Sequence, residues 1–216
     1  MSTPPVGSPE ATHAHPERGY EPITSNGARV RSDVVDVYVF SRSTGTTARN
    51  DPHADGGDAW PERGRPDAEV RFLHLLRAGA PLDKTWQPVM GHANAGETSV
   101  VCAWREMDEE LGLRRDDPMI LGMWALEQVH PFYIAAIDTV VMSPRFCCEV
   151  RSGWAPTLNH EHTAHRWVRE QDVDASFMWP GQKACCREII REIVRDASLS
   201  REGLRIDHRT RSTRPG

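Results

Sequence analysis

Glu106, Glu109 and Glu110 stand close together in the run Arg105-Glu106-Met107-Asp108-Glu109-Glu110-Leu111-Gly112-Leu113, which follows Gly91-His92-Ala93-Asn94-Ala95-Gly96-Glu97 after seven residues. On an ideal helix, at about 100° per residue, the three carboxylates fall within roughly 100° of arc. Three like charges this close repel one another, so the arrangement costs stability unless a cation neutralises it. Hard oxygen ligands on a rigid element suit Mg²⁺ or Mn²⁺, and Mg²⁺ keeps room in its shell for water and phosphate oxygens. A glycine turn, a helix and three carboxylates in this order can hold divalent cations against a polyphosphate. Glutamates on a helix more commonly form a plain solvated face, so the surrounding pattern has to decide.

The elements that would position these groups follow from periodicity. Val100, Trp104, Met107 and Leu111 recur at steps of four, three and four, one helical stripe centred well over 100° from the carboxylates. The spacing predicts a helix over 97–111 that buries this stripe and shows the carboxylates on another face, with Gly112 as its C-cap. Upstream, the β-branched and aromatic run 34–40 and the run 69–76 read as strands, the latter ended by Gly79-Ala80-Pro81. A short extended piece, 85–89, delivers the chain to Gly91. Downstream, 119–129, 133–142 and 164–168 read as strands, 144–160 as a loop, and 181–197 as a second amphipathic helix around Ala184, Ile189, Ile190 and Ile193. Residues 1–28 are too poor in apolar side chains to offset the entropy of ordering them. Residues 41–67 read as a long loop insertion and 199–216 as a flexible, arginine-rich tail, leaving one domain over 29–198.

Composition limits the partners. A net charge of −5, from 31 acidic and 26 basic residues, provides no sequence-wide attraction to nucleic acid or to an anionic membrane. The chain has no apolar run long enough for a membrane span and its N-terminus lacks the apolar core of a signal peptide. Five cysteines, including the adjacent pairs Cys147-Cys148 and Cys185-Cys186, make a poor disulfide framework and contain no CxxC zinc pair. A cytoplasmic protein acting on a small anionic molecule is expected. Oligomeric state is open, a homodimer being compatible with the sequence.

Glycine, five residues, glutamate, seven residues, Arg-Glu, an apolar residue, any residue, Glu-Glu, any residue, glycine and an apolar residue is the Nudix box, and residues 91–113 match it at every defined position. The chain resembles a Nudix hydrolase. The resemblance implies an α/β fold, an α/β/α sandwich with a mixed central sheet in a single domain. It also implies hydrolysis of a nucleoside diphosphate linked to another group, with Mg²⁺ or Mn²⁺ as cofactor. By position Glu106, Glu109 and Glu110 match metal ligands, with the Gly91 carbonyl as a further one, and Arg105 and Glu97 match a structural pair. Trp86-Gln87-Pro88-Val89-Met90-Gly91 is similar to the segment leading into the box in nucleoside and dihydroneopterin triphosphate pyrophosphohydrolases. Glu161-His162-Thr163-Ala164-His165-Arg166-Trp167 is similar to the segment of those enzymes whose glutamate faces the metals. Glu161 is then a fourth ligand or the general base, in competition with Glu109 and Glu110. Trp86 and Gln87 become substrate-binding candidates, Trp86 as core or as a base-stacking platform. Asn94 stands where many members carry a further glutamate.

Arg71 and Arg77 are candidate phosphate contacts. His160, His162 and His165 lack the spacing of a zinc-protease helix and read as loop histidines or phosphate contacts. Cys102 reads as a packing residue. The leading expectation is a pyrophosphohydrolase that cleaves a nucleoside or pterin triphosphate to the monophosphate and pyrophosphate. The alternative substrates are ADP-ribose, a nucleotide sugar, a dinucleoside polyphosphate or a capped RNA end. A non-catalytic nucleotide-binding module would be expected to lose box carboxylates, and all are present.

Overall fold

A computed structural model describes residues 27–43, 69–80, 82–195 and 199–206. The strands are β1 (Arg29–Arg31), β2 (Val34–Ser43), β3 (Glu69–Arg77), β4 (Trp86–Gln87), β5 (Val89–His92), β6 (Ile120–Ala125), β7 (Phe132–Ile134), β8 (Thr139–Val141), β9 (Arg145–Val150) and β10 (His162–Arg169). The helices are α1 (Ser99–Leu111), α2 (Val173–Ser176), α3 (Pro180–Glu188), continued by a π turn over Ile189–Val194, and α4 (Ser200–Leu204).

Alternation along β2 explains the layers. Val35, Val37 and Val39 join Cys102, Trp104, Met107 and Leu111 of α1 in one core. Tyr38 and Phe40 join Phe177, Cys185, Cys186, Ile189, Ile190 and Ile193 in a second core on the opposite face. Each fully buried side chain of this kind contributes about 1.5–3 kcal/mol, and covering both faces makes an α/β/α sandwich, as the sequence implied. The main sheet runs β10-β3-β2-β9-β6, with β4 beside β3 and β5 beside β2. It is mixed, because β2 and β9 are parallel while the other pairs are antiparallel. A small second sheet orders β1-β8-β7.

One irregularity of the sheet positions the glycine. β2 and β3 pair only where Phe40–Ser43 meets Glu69–Phe72 and then part. Into the opening slide β5, against Val34–Val37 of β2, and β4, against Leu75 and Leu76 of β3. Gly91 is thereby held opposite Val35 in the middle of the sheet rather than on a free loop.

Several sequence expectations change. β9 lies inside the stretch read as a loop, yet it pairs with strands on both sides. Its Arg145 and Glu149 interrupt the apolar pattern but are buried in ion pairs, Arg145 to Asp36 at 3.2 Å and Glu149 to Arg42 at 2.6 Å. The 133–142 stretch is the hairpin β7–β8, broken by a 3-10 turn and by Asp138 at φ 45°. The strand expected over 119–129 is limited to β6, and β10 begins two residues earlier than expected. Residues 199–206 are not a free tail. They form α4, and the Ile206 N–H donates to the Met123 carbonyl at 2.8 Å. β2 extends through Ser43 into the region read as a loop. The rest of that loop, the lead-in through residue 26 and the tail beyond 206 lie outside the described residues. All five cysteines are free and buried. Among the described residues no helix is long and apolar enough to cross a membrane.

Candidate active site

The loop from β5 into α1 is tied at several points. The Asn94 N–H donates to Glu97 Oε2 at 2.8 Å and the Glu97 N–H to the Asn94 carbonyl at 2.9 Å. Thr98 caps α1, its hydroxyl accepting from the Val101 N–H at 3.3 Å. Gly112 ends the helix in the left-handed region, φ 65°, and a Cβ there would also lie 3.2 Å from Thr157 Cβ.

Arg105 is the clamp. Its Nε and Nη2 grip Glu97 Oε1 and Oε2 at 3.0 and 2.9 Å, a two-point bond, and Nη2 also reaches the His92 carbonyl at 2.9 Å. Its Nη1 reaches Glu106 Oε1 at 2.7 Å and Glu109 Oε2 at 3.0 Å. Arg105 holds the Glu97 carboxyl down at about 2, and these carboxylates in turn push the guanidinium further up. The pairing of Glu97 with Arg105 drawn from the sequence is thus present as a hydrogen-bonded fork.

The three box glutamates sit in different surroundings. Glu109 is the outermost, with 54% of its side chain exposed. Glu106 retains only 8% exposure and Glu110 only 1%, so the carboxylate face is no plain solvated one and is largely enclosed by chain distant in sequence. Glu106 packs onto the backbone of Gly91, where a Cβ would stand 1.9 Å from Glu106 Cδ. Only glycine leaves room for that carboxylate. Glu110 accepts the Met90 N–H and meets His162 Nε2 at 3.0 Å. Burial pushes both carboxyls up; Arg105 opposes this for Glu106 and His162 for Glu110, while neighbouring carboxylates add to it, Glu109 and Glu110 for Glu106 and Glu161 for Glu110.

His162 reaches Glu110 because β10 is bulged. Ala164, Arg166 and Val168 pair with Leu76, His74 and Phe72, but the register shifts between His162 and Ala164, so His162 pairs with Arg77 and turns to the α1 face. From sequence alone His162 reads as a loop histidine or a phosphate contact. Its one available signal was adjacency to Glu161, which is exposed beside Glu110 and tied by its carbonyl to the Ala78 N–H at 2.8 Å.

Other candidates are distributed less simply. Gln87 is buried on the α1 side, opposite Leu75. Trp86 lies across the sheet from α1, stacked 6.1 Å from His74 at 24° and covered by the Arg166 guanidinium at 4.2 Å. Arg71 is not brought to the carboxylates: it pairs with Arg169 at the far end of β10 from His162 and bonds Glu69 at 2.5 Å. Cys102 is a core residue whose thiol burial pushes up to about 11.

Among the described residues no three side chains of His, Cys, Asp or Glu converge at metal-ligating distances, since Glu106 and Glu109 are turned to Arg105 and Glu110 to His162. The donor chemistry nevertheless fits a divalent cation. Two buried carboxylates, a third exposed one and Glu161 place hard, negatively charged oxygens at one mouth, where each makes its neighbours harder to ionise.

A NUDIX domain family model matches residues 65–188. Among solved structures the chain is similar to a C. elegans Ap4A hydrolase in a binary complex, at 15% identity over 73% of this chain and 94% of that one, with a TM-score of 0.52. It is similar to the E. coli dihydroneopterin triphosphate pyrophosphohydrolase at 19% identity, over 76% and 98% of the two chains, with a TM-score of 0.51. It is also similar to the NUDIX domain of Shewanella oneidensis NrtR complexed with ADP ribose, at 11% identity over 80% and 93%, with a TM-score of 0.51. No curated protein matches significantly. A complete box in sequence, its glycine and glutamates interlocked in space, and a family match over more than half of the chain place it: the protein belongs to the Nudix hydrolase family, enzymes that act on phosphorus anhydride bonds.

Proposed function

We propose that this protein is a divalent-metal-dependent pyrophosphohydrolase that cleaves a nucleoside or pterin triphosphate to the monophosphate and pyrophosphate. The observation that carries the reading is the interlock of Gly91, Glu106 and Arg105 beside the Glu110–His162 pair, with Glu161 at the same mouth. Glu106, Glu109, Glu110 and the Gly91 carbonyl would hold Mg²⁺ or Mn²⁺. When bound, such an ion neutralises charge on the phosphates and lowers the pKa of water.

The chain's own groups do the rest. Glu161, exposed beside Glu110, takes the proton of the attacking water; Glu109, the most exposed box carboxylate, is the competitor for that role. The water oxygen bonds to phosphorus, the bridging P–O bond breaks, and its electron pair leaves on pyrophosphate. Arg105 fixes the loop and the helix relative to each other through Glu97 and the His92 carbonyl, so the carboxylates meet the substrate in one arrangement. The Trp86-to-Gly91 segment and Glu161 favour a triphosphate substrate, since both are similar to segments of triphosphate pyrophosphohydrolases.

A metal-dependent hydrolysis screen tests this, using dihydroneopterin triphosphate, ordinary and oxidised dNTPs, diadenosine tetraphosphate and ADP-ribose with product analysis. Pyrophosphate and a monophosphate are expected. Two monophosphates from ADP-ribose, with no turnover of any triphosphate, would overturn the substrate class.

A further inference from the structure

The sheet register brings a second polar group of residues to the α1 face. Leu73 and Leu75 of β3 belong to the core beneath α1, and Arg77 continues the same side of that strand. On one flank Arg77 pairs with His162, the residue that the bulge turns towards Glu110. On the other flank Leu75 pairs with Gln87. Paired residues of antiparallel strands share a face, with Cα atoms about 4.5–5.5 Å apart. Arg77 therefore shares this face with His162, directly opposite it on β10, and with Gln87, diagonal to it on β4, and His162 in turn meets the buried Glu110.

Each of these side chains carries an unpartnered buried nitrogen. Arg77 Nε and Gln87 Nε2 are buried without a hydrogen-bond partner, and Arg77 forms no ion pair among the described residues. His162 Nδ1 is a third unpartnered buried atom in this group, and buried polar atoms of folded proteins are nearly always paired, so the group asks for a partner from outside. The neighbouring arginines are committed elsewhere, Arg105 to the carboxylates, Arg71 to Glu69 and Arg166 to the Trp86 ring. A guanidinium fork matches phosphate oxygens, and an amide N–H adds a neutral donor to the same anion.

We propose that Arg77, with Gln87 beside it, is an anion subsite that holds a phosphate group of the substrate next to the Glu110–His162 pair. This rests on the protein being a hydrolase of a phosphoanhydride, but not on the substrate being a triphosphate. The subsite adds a guanidinium that is not tied to the carboxylates as Arg105 is.

The test is calorimetric titration of the full-length chain with inorganic pyrophosphate in the presence of Mg²⁺, with Mg²⁺ alone titrated separately. Arg77→Gln is expected to weaken pyrophosphate binding about 10-fold or more and Arg77→Lys less, as a point charge replaces the fork. Mg²⁺ affinity should be unchanged in both, and Arg71→Gln should bind pyrophosphate as wild type does. Wild-type pyrophosphate affinity in Arg77→Gln would overturn the subsite. So would an equal loss in Arg71→Gln, a parallel loss of Mg²⁺ affinity, or no pyrophosphate binding by the wild type. Should Arg77→Gln fail to fold, Arg77→Lys decides on the same readings. A screen in which only ADP-ribose is cleaved refutes the triphosphate reading and leaves this result standing, so the two failures are separable.

Discussion

Gly91→Ala isolates the link between backbone and carboxylate. The added Cβ would lie 1.9 Å from Glu106 Cδ, 2.0 Å from Oε1 and 2.2 Å from Cγ. Non-bonded carbons rest about 3.5–4.0 Å apart, so the Glu106 carboxyl has to retreat by about 1.5–2 Å. The obstruction is the end of one side chain, not backbone. The fold can therefore relax by swinging Glu106 aside, at the cost of its 2.7 Å bond to Arg105 and a small overpacking strain. A stability loss of about 1–3 kcal/mol is expected. Activity should suffer far more, because a misplacement of about 1 Å in a reacting arrangement costs on the order of 100-fold. The assay is metal-dependent hydrolysis of whichever substrate the screen identifies, paired with thermal melting and with Mn²⁺ titration. Gly79→Ala, where a Cβ meets nothing within 4 Å, is the matched control. A Gly91→Ala enzyme with wild-type kcat and Mn²⁺ affinity would show that Glu106 need not sit against this backbone, and the interlock would lose its meaning.

Glu109→Gln and Glu110→Gln should each lower kcat by 100-fold or more, on the order of one lost electrostatic stabiliser, with melting temperatures close to wild type; unchanged rates in both would sink the metal assignment. Arg105→Lys keeps the charge but not the fork to Glu97 and the His92 carbonyl, so activity and metal affinity should fall about 10- to 100-fold, and equal kinetics in the two enzymes would remove its positioning role. Burial, aided by Arg166, holds the His74 imidazole down at about 3. The unfolded chain takes that proton near pH 6.5, so this stabilisation is complete above pH 6.5 and is lost as pH falls towards 3. The slope is at most about 1.4 kcal/mol per pH unit, or roughly 2 kcal/mol between pH 6.5 and 5. Urea denaturation at the two pH values should show that loss in wild type and not in His74→Gln, whereas parallel losses would contradict the assignment.

What the sequence could convey divides along physical lines. The α1 stripe was legible because Trp104, Met107 and Leu111 repeat at helical spacing, and all three are core residues. The burial of Glu106 and Glu110 was not, because β5 and β10 enclose them and no local pattern encodes a neighbour some 50 residues away, the separation of His162 from Glu110. β9 was hidden for a similar reason. Arg145 and Glu149 look like loop residues until Asp36 and Arg42, 109 and 107 positions distant, neutralise them inside the protein. Arg71 and Arg77 carry the same chemistry on one strand, and only the register separates the one tied to Glu69 from the one beside His162. Trp86 and Gln87 are adjacent in sequence and lie on opposite faces of the sheet, as strand alternation requires.

The bulge between His162 and Ala164 makes the site sensitive to residue count in a way it is not to residue identity. Strand side chains alternate with a period of two, so an extra residue in a regular strand would invert the phase of everything before it, and the bulge absorbs Thr163 without that inversion. Thr163, which supplies the extra position, is exposed, and substituting it should be nearly silent. Deleting it would make His162 the direct neighbour of Ala164, opposite Arg77 and still on the α1 face. One further residue that the bulge does not absorb would instead rotate His162 to the face occupied by Trp86 and His74 and leave Glu110 buried without its imidazole. An engineered insertion here would accordingly damage the chemistry while sparing the rest of β10, and removal of Thr163 would keep His162 facing Glu110.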